Sequence, residues 1–106
     1  MVERGSDDDM TTFSGKIEKD TVIEDDLILT GVIIGDVVVK EGINFNLNGV
    51  VSGNLLVSNN STVYINGVLN GNVKNIGGNL EIYGIVKGRL IEISGNTFVD
   101  KNAVIA

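Results

Sequence analysis

The side chains able to do chemistry in this 106-residue chain are fourteen Asp and Glu, eight Lys and Arg, and two Tyr; His and Cys are absent. A thiolate nucleophile, an imidazole base, a disulfide framework and any Cys/His zinc site are therefore excluded. Carboxylates remain, and their chemistry needs groups converging on one point, as an acid and base pair or around a cation. The best cluster outside the N-terminus is Glu24, Asp25 and Asp26 in TVIEDDLIL. Adjacent residues of a strand point to opposite sides, so this run reads as a solvated acidic end. No Gly pair is followed by GK[ST], which removes a phosphate loop. Lys74, Lys87 and Arg89 have no aromatic cluster between them, and the net charge of −6 opposes phosphate binding. The expectation is no catalytic, cofactor-binding or metal-ligating residue, hence not an enzyme, and no nucleic-acid partner.

The elements that would position any site follow from composition and period. Val and Ile total 28 residues, with 14 Gly and 13 Asn, whereas Ala occurs only at Ala103 and Ala106. That is an all-β composition rich in turn formers. Four segments superimpose, starting at Leu27, Phe45, Val63 and Leu80, with glycine pairs Gly31/Gly35, Gly49/Gly53, Gly67/Gly71 and Gly84/Gly88; a partial copy begins at Phe98. The first glycine of each pair advances by 18, 18 and 17 residues. Such a period is too short for propeller blades of about 40 residues and suits one coil of a β-helix, each strand pairing with its equivalent about 4.8 Å along the axis.

Numbered from Leu27, places 1, 3, 7 and 11 of the coil are apolar in every full copy: Leu27, Leu29, Ile33, Val37; Phe45, Leu47, Val51, Leu55; Val63, Ile65, Leu69, Val73; Leu80, Ile82, Val86, Leu90. These should stack into a narrow core. SGKIEKDTVIEDD reads as an opening coil with Ile17, Val22 and Ile23 as core candidates. Both glycine columns are expected at corners that need positive φ, as Asn48-Gly49 and Asn66-Gly67 suggest. Asn48 with Asn66, and Asn54 with Asn72, are expected to form amide ladders. Residues 1–12 are expected to be a mobile acidic tail and residues 13–106 the β-helix domain.

The spacing apolar-x-Gly-x-apolar-x-Gly-x-apolar recurs as LTGVIIGDV (29–37), LNGVVSGNL (47–55), INGVLNGNV (65–73) and IYGIVKGRL (82–90). With TVIEDDLIL ahead of it, this pattern resembles the bactofilin family of polymer-forming bacterial cytoskeletal proteins, across roughly Thr12 to Ala106. The resemblance implies a single-stranded right-handed β-helix of about five to six coils, about 18 residues each. It also implies self-assembly into nonpolar filaments, end to end and without nucleotide. The chain departs from the family in having Asp25 where a Gly usually follows TVIE, and in an apolar place 6. An 18-residue left-handed acyltransferase helix is set aside because such enzymes generally rely on a histidine.

No run approaches the roughly 18 apolar residues of a membrane span, and the N-terminus has no apolar segment of a signal peptide, so the expected location is cytoplasmic, without membrane insertion. The expected function is a self-assembling structural scaffold whose partner is itself. The alternative is a small β-helical protein-binding module, an adaptor or immunity-type inhibitor acting as monomer or dimer. Two surfaces are singled out. Phe98, Val99, Val104 and Ile105, near an open strand edge, are expected to drive self-association. Val32, Val50, Val68 and Ile85 at place 6 are expected to face outward as a lateral stripe while place 7 faces the core. Charge is asymmetric along the axis: residues 1–41 hold eleven acidic and four basic groups, net −7, and residues 42–106 three acidic and four basic, net +1.

Overall fold

A computed structural model describes residues 10–106. Fifteen strands wind in sequence: β1 (Thr11–Phe13), β2 (Lys16–Ile17), β3 (Thr21–Ile23), β4 (Leu27–Leu29), β5 (Val32–Ile34), β6 (Val37–Val39), β7 (Asn44–Leu47), β8 (Val50–Ser52), β9 (Leu55–Val57), β10 (Thr62–Ile65), β11 (Val68–Leu69), β12 (Val73–Ile82), β13 (Ile85–Val86), β14 (Leu90–Val99) and β15 (Val104–Ile105). Every ladder is parallel and joins a strand to its equivalent one coil on. The result is an all-β solenoid of about five coils with three faces. The first face carries β1, β4, β7, β10 and the C-terminal halves of β12 and β14. The second carries β2, β5, β8, β11, β13 and β15, and the third β3, β6, β9 and the N-terminal halves of β12 and β14. Residues 1–9 of the expected tail lie outside the described residues. Its last two, Thr11 and Thr12, belong to β1, because they pair with Leu27 and Ile28.

The pairing register locates the source of the period. In the coils that complete all three faces, five residues separate the first partner position on the first face from that on the second, and five more lead to the third: Leu27, Val32, Val37, then Phe45, Val50, Leu55, then Val63, Val68, Val73. In the last coil the first step lengthens to seven residues, from Thr97 to Val104, and elsewhere only the corner after the third face varies. It takes six residues from Thr21 to Leu27, eight from Val37 to Phe45 and seven from Val73 to Leu80.

The two constant corners carry the glycines, and the first column is glycine for a different reason than positive φ. Gly31, Gly49, Gly67 and Gly84 are not at positive φ. Instead, a Cβ on each would lie 2.0–2.1 Å from the carbonyl oxygen of the equivalent glycine one coil earlier, Gly15, Gly31, Gly49 and Gly67. Hydrogen bonding draws the chain in this close: Leu29 O accepts from both Asn48 N at 2.9 Å and Gly49 N at 2.8 Å, and Leu47 O from Asn66 N and Gly67 N, both at 2.8 Å. At the second corner Gly53 combines φ 157° with an oxygen 2.1 Å from where its Cβ would be.

Between these corners the side chains alternate. Places 1, 3, 7 and 11 all turn inward, fully buried in the middle coils, with Leu27 and Leu90 half-buried toward the ends. A fifth column, Ile23, Val39 and Val57, completes the core at place 13. Of the opening-coil candidates, Ile23 is buried and Ile17 half-buried, but Val22 is outward and exposed, because it is the central residue of β3 and pairs with outward Val38.

In the fourth coil that fifth column changes character. Asn75 stands in register with Val57 and is fully buried. Its Oδ1 accepts from Gly77 N at 3.1 Å and Gly78 N at 2.8 Å, and its Nδ2 donates to Gly78 O, Asn96 O and Thr97 Oγ1, each at 3.1 Å. One side chain thus supplies the bonds of a shortened corner and ties it to the next coil. Two outcomes follow. Gly49→Ala should cost at least about 3 kcal/mol, the upper end of overpacking penalties, since the obstructing atom is backbone. Asn75→Val, which merely extends the Val39, Val57 column, should still lose about 1–3 kcal/mol by orphaning the Gly77 and Gly78 amides. Urea titration measures both.

Candidate interaction surfaces

The place-6 stripe is assembled by the second face. Val32 pairs with Val50, Val50 with Val68 and Val68 with Ile85, while the place-7 partners Ile33, Val51, Leu69 and Val86 are fully buried. Strand alternation puts the first set outside, where stacking leaves Val32, Val50 and Val68 half-buried and Ile85 exposed. The stripe extends one coil further, because Val104 pairs with Ile85, and at the other end Lys16 pairs with Val32. Ile34, Ser52, Asn70 and Lys87 border it, with Asn70 Nδ2 donating to Ser52 Oγ at 3.3 Å.

The four terminal residues divide into two kinds. Val99 continues the core column of Ile65 and Ile82, and Ile105 that of Val86, each at the last coil. Val99 is 41% exposed where Ile82 is 0%. Phe98 and Val104 instead point sideways, Phe98 on the first face in register with Glu81 and Val104 on the stripe. The reason is again alternation, since the odd and even residues of one strand cannot both face the end of the core. Phe98 packs against Tyr83, ring centroids 5.9 Å apart at 52°. The Tyr83 hydroxyl donates to Glu81 Oε1, which holds that phenol above its ordinary pKa.

The opposite end differs in packing and charge. Phe13 occupies the core column of Leu29, and its ring lies over Gly15, whose added Cβ would meet it at 2.9 Å. The same opening coil carries Glu18, Asp20, Glu24 and Asp25, all exposed. Lys16 Nζ lies 2.9 Å from Glu18 Oε2, and that hydrogen bond lowers the Glu18 pKa. Asp26 is engaged rather than free: its Oδ1 accepts from Asn44 N at 2.9 Å. Among the described residues no three metal-ligating groups gather. Lys74 lies on the third face, Lys87 borders the second-face stripe, and Arg89 sits at the corner between them.

The two amide pairs resolve differently. Asn66 Nδ2 donates to Asn48 Oδ1 at 2.9 Å, an amide-to-amide bond. Asn54 and Asn72 do not bond to each other's amide. They belong to a side-chain-to-backbone ladder in which Asp20, Asp36, Asn54 and Asn72 Oδ1 accept from the backbone N of Asp36, Asn54, Asn72 and Arg89, at 2.8–3.0 Å. The carbonyl oxygen of a short Asx side chain reaches the next coil's N–H at this corner. Asn75 was not singled out in the sequence, though one signal existed: the Val39, Val57 series breaks at Asn75 just where Gly77-Gly78 follows.

The chain shows no match to a protein family, a curated protein or a solved structure. Nor is there, among the described residues, a helix long and apolar enough to cross a membrane. Among the described residues the geometry is that of a repeat solenoid with an outward β-branched stripe and an exposed Val99 on its last coil. Replacing Val50 and Val68 together by Thr should change stability by less than about 0.5 kcal/mol per site, Thr being a good strand former. Any side-by-side association seen by sedimentation velocity should disappear. A loss of several kcal/mol would return the column to the core.

Proposed function

We propose that this protein is a self-assembling structural scaffold of bactofilin type, whose subunits stack end to end through terminal coils without nucleotide. The observation that carries the reading is the state of the last coil. Val99 and Ile105 stand on columns that are completely buried one coil earlier, yet Val99 is exposed and Ile105 only half-buried, and among the described residues no further strand pairs with β14 or β15 on their outer edges. A row of unpaired strand groups beside exposed apolar side chains is a template for further pairing. A second copy supplies what each column lacks, an apolar residue and a strand at about 4.8 Å. At the other end the exposed carboxylates of the opening coil make contact more dependent on ionic strength.

The lateral stripe favours a second reading, a β-helical binding module that holds another protein on its second face as monomer or dimer. Negative-stain microscopy and sedimentation separate the two. Under the first reading the parent forms filaments or defined oligomers, and Val99→Lys with Ile105→Lys disperses them to monomers that retain a β-type circular dichroism spectrum. Phe98→Arg, being lateral, leaves end-to-end assembly intact. A parent that stays monomeric at all concentrations favours the second reading, and assembly unchanged in the Val99/Ile105 variant moves the contact elsewhere.

A further inference from the structure

The first face is unlike the other two. Every aromatic ring outside the core and the Phe13 end lies on it: Tyr64 on β10, Phe98 on β14, and Tyr83 at its edge packed on Phe98. Its central outward column runs Ile28, Asn46, Tyr64, Glu81, Phe98 in register, one residue per coil. Beside this column a groove of about 560 Å³ is lined by Met10, Ile28, Asn44, Asn46, Thr62 and Tyr64. No charged side chain lines it. The lining alternates apolar surface with amides and hydroxyls that both donate and accept.

One buried atom of the groove wall lacks a partner. Asn46 Oδ1 is buried without a hydrogen-bond partner. Buried acceptors in folded proteins are normally paired, and an unpaired one is costly; this one is closed to solvent, so a ligand donor reaches it when the Asn46 side chain turns toward the groove. Ligand chemistry follows from the combination. Flat apolar rings suit the C–H faces of sugars, neutral amides suit their hydroxyls, and the lack of cations discourages phosphate. Repetition adds direction, because the coil spacing of about 4.8 Å is close to the length of one sugar residue in an extended chain.

We propose that the first face binds an uncharged, extended polysaccharide lying along the solenoid axis, seated between Ile28, Asn46 and Tyr64 and continuing toward Phe98. The surface is lateral, so end-to-end stacking leaves it free and would lengthen it. Single-stranded nucleic acid, which also stacks on aromatics, is opposed by Asp26, Glu81 and Asp100 around the face.

Native electrophoresis through gels containing hydroxyethyl cellulose, glucomannan or glycol chitin tests this, mobility being referred to gels without polysaccharide. At least one of the three should retard the parent. Tyr64→Ala with Phe98→Ala should weaken that retardation about tenfold in dissociation constant. Asn46→Leu should weaken it too while leaving the melting temperature equal or higher, the opposite of what a structural role predicts. Val50→Thr with Val68→Thr on the second face should bind as the parent does. The proposal is overturned if none of the three polysaccharides retards the parent, if the Tyr64/Phe98 variant is retarded equally, if the second-face variant loses binding as much, or if oligothymidylate binds more tightly than every neutral glycan.

Discussion

The fold depends on one close approach, that of each corner glycine to the carbonyl oxygen of the glycine one coil below. With the site of a Cβ only 2.0–2.1 Å from that oxygen, no side chain of any kind fits, and the corner settles directly onto its predecessor. Paired amides then converge on a single carbonyl, as Asn48 N and Gly49 N do on Leu29 O. Because the contact repeats at the same step in successive coils, it fixes where the flanking strands start. Register, and with it the choice of which valines are inside, follows from the corner rather than from the strands, thirteen of which have only two to four residues and are too short to hold a register alone.

A core built this way is only one side chain deep at each place, so each layer is sealed by the layers above and below it. Leu29, Leu47 and Ile65 are completely buried because each has both neighbours. Among the described residues Phe13 and Val99 are the outermost members of the same column, each with one neighbour in it. The two ends meet this deficit differently: Phe13 lays a ring over Gly15, while Val99 and Ile105, which have no ring to fold across the end, stay partly or largely exposed. The proposed assembly rests on that difference of side-chain size as much as on exposed strand edges.

Much of this was legible in the residues. The 18-residue recurrence, the four apolar places and the outward direction of place 6 relative to place 7 are properties of alternation, and alternation is local. Three things were not legible. The fifth core column was hidden because its fourth member is Asn75, a polar residue buried only because five bonds within and across coils satisfy it. The reason for the first glycine column was hidden because a positive φ and a close approach leave the same residue type in the sequence. Phe98 and Val104 were grouped with Val99 and Ile105 by nearness in the chain, whereas the pleat separates them onto different surfaces. The polar character of the first face was likewise invisible until residues a whole coil apart, such as Asn46 and Tyr64, were brought side by side.

Asn48-Gly49 and Asn66-Gly67 have a further meaning for the lifetime of the molecule. In a flexible peptide an Asn-Gly pair ages chemically: the glycine nitrogen attacks the asparagine amide carbon, ammonia leaves, and the resulting ring opens to aspartate or isoaspartate. Here both nucleophiles are occupied, Gly49 N by Leu29 O and Gly67 N by Leu47 O, each at 2.8 Å. The amides of Asn48 and Asn66 are also bonded to each other, which opposes the rotation that ring closure requires. Two of the chain's three Asn-Gly pairs, the third being Asn70-Gly71 at the next corner, are thus shielded by the same corner that sets the coil.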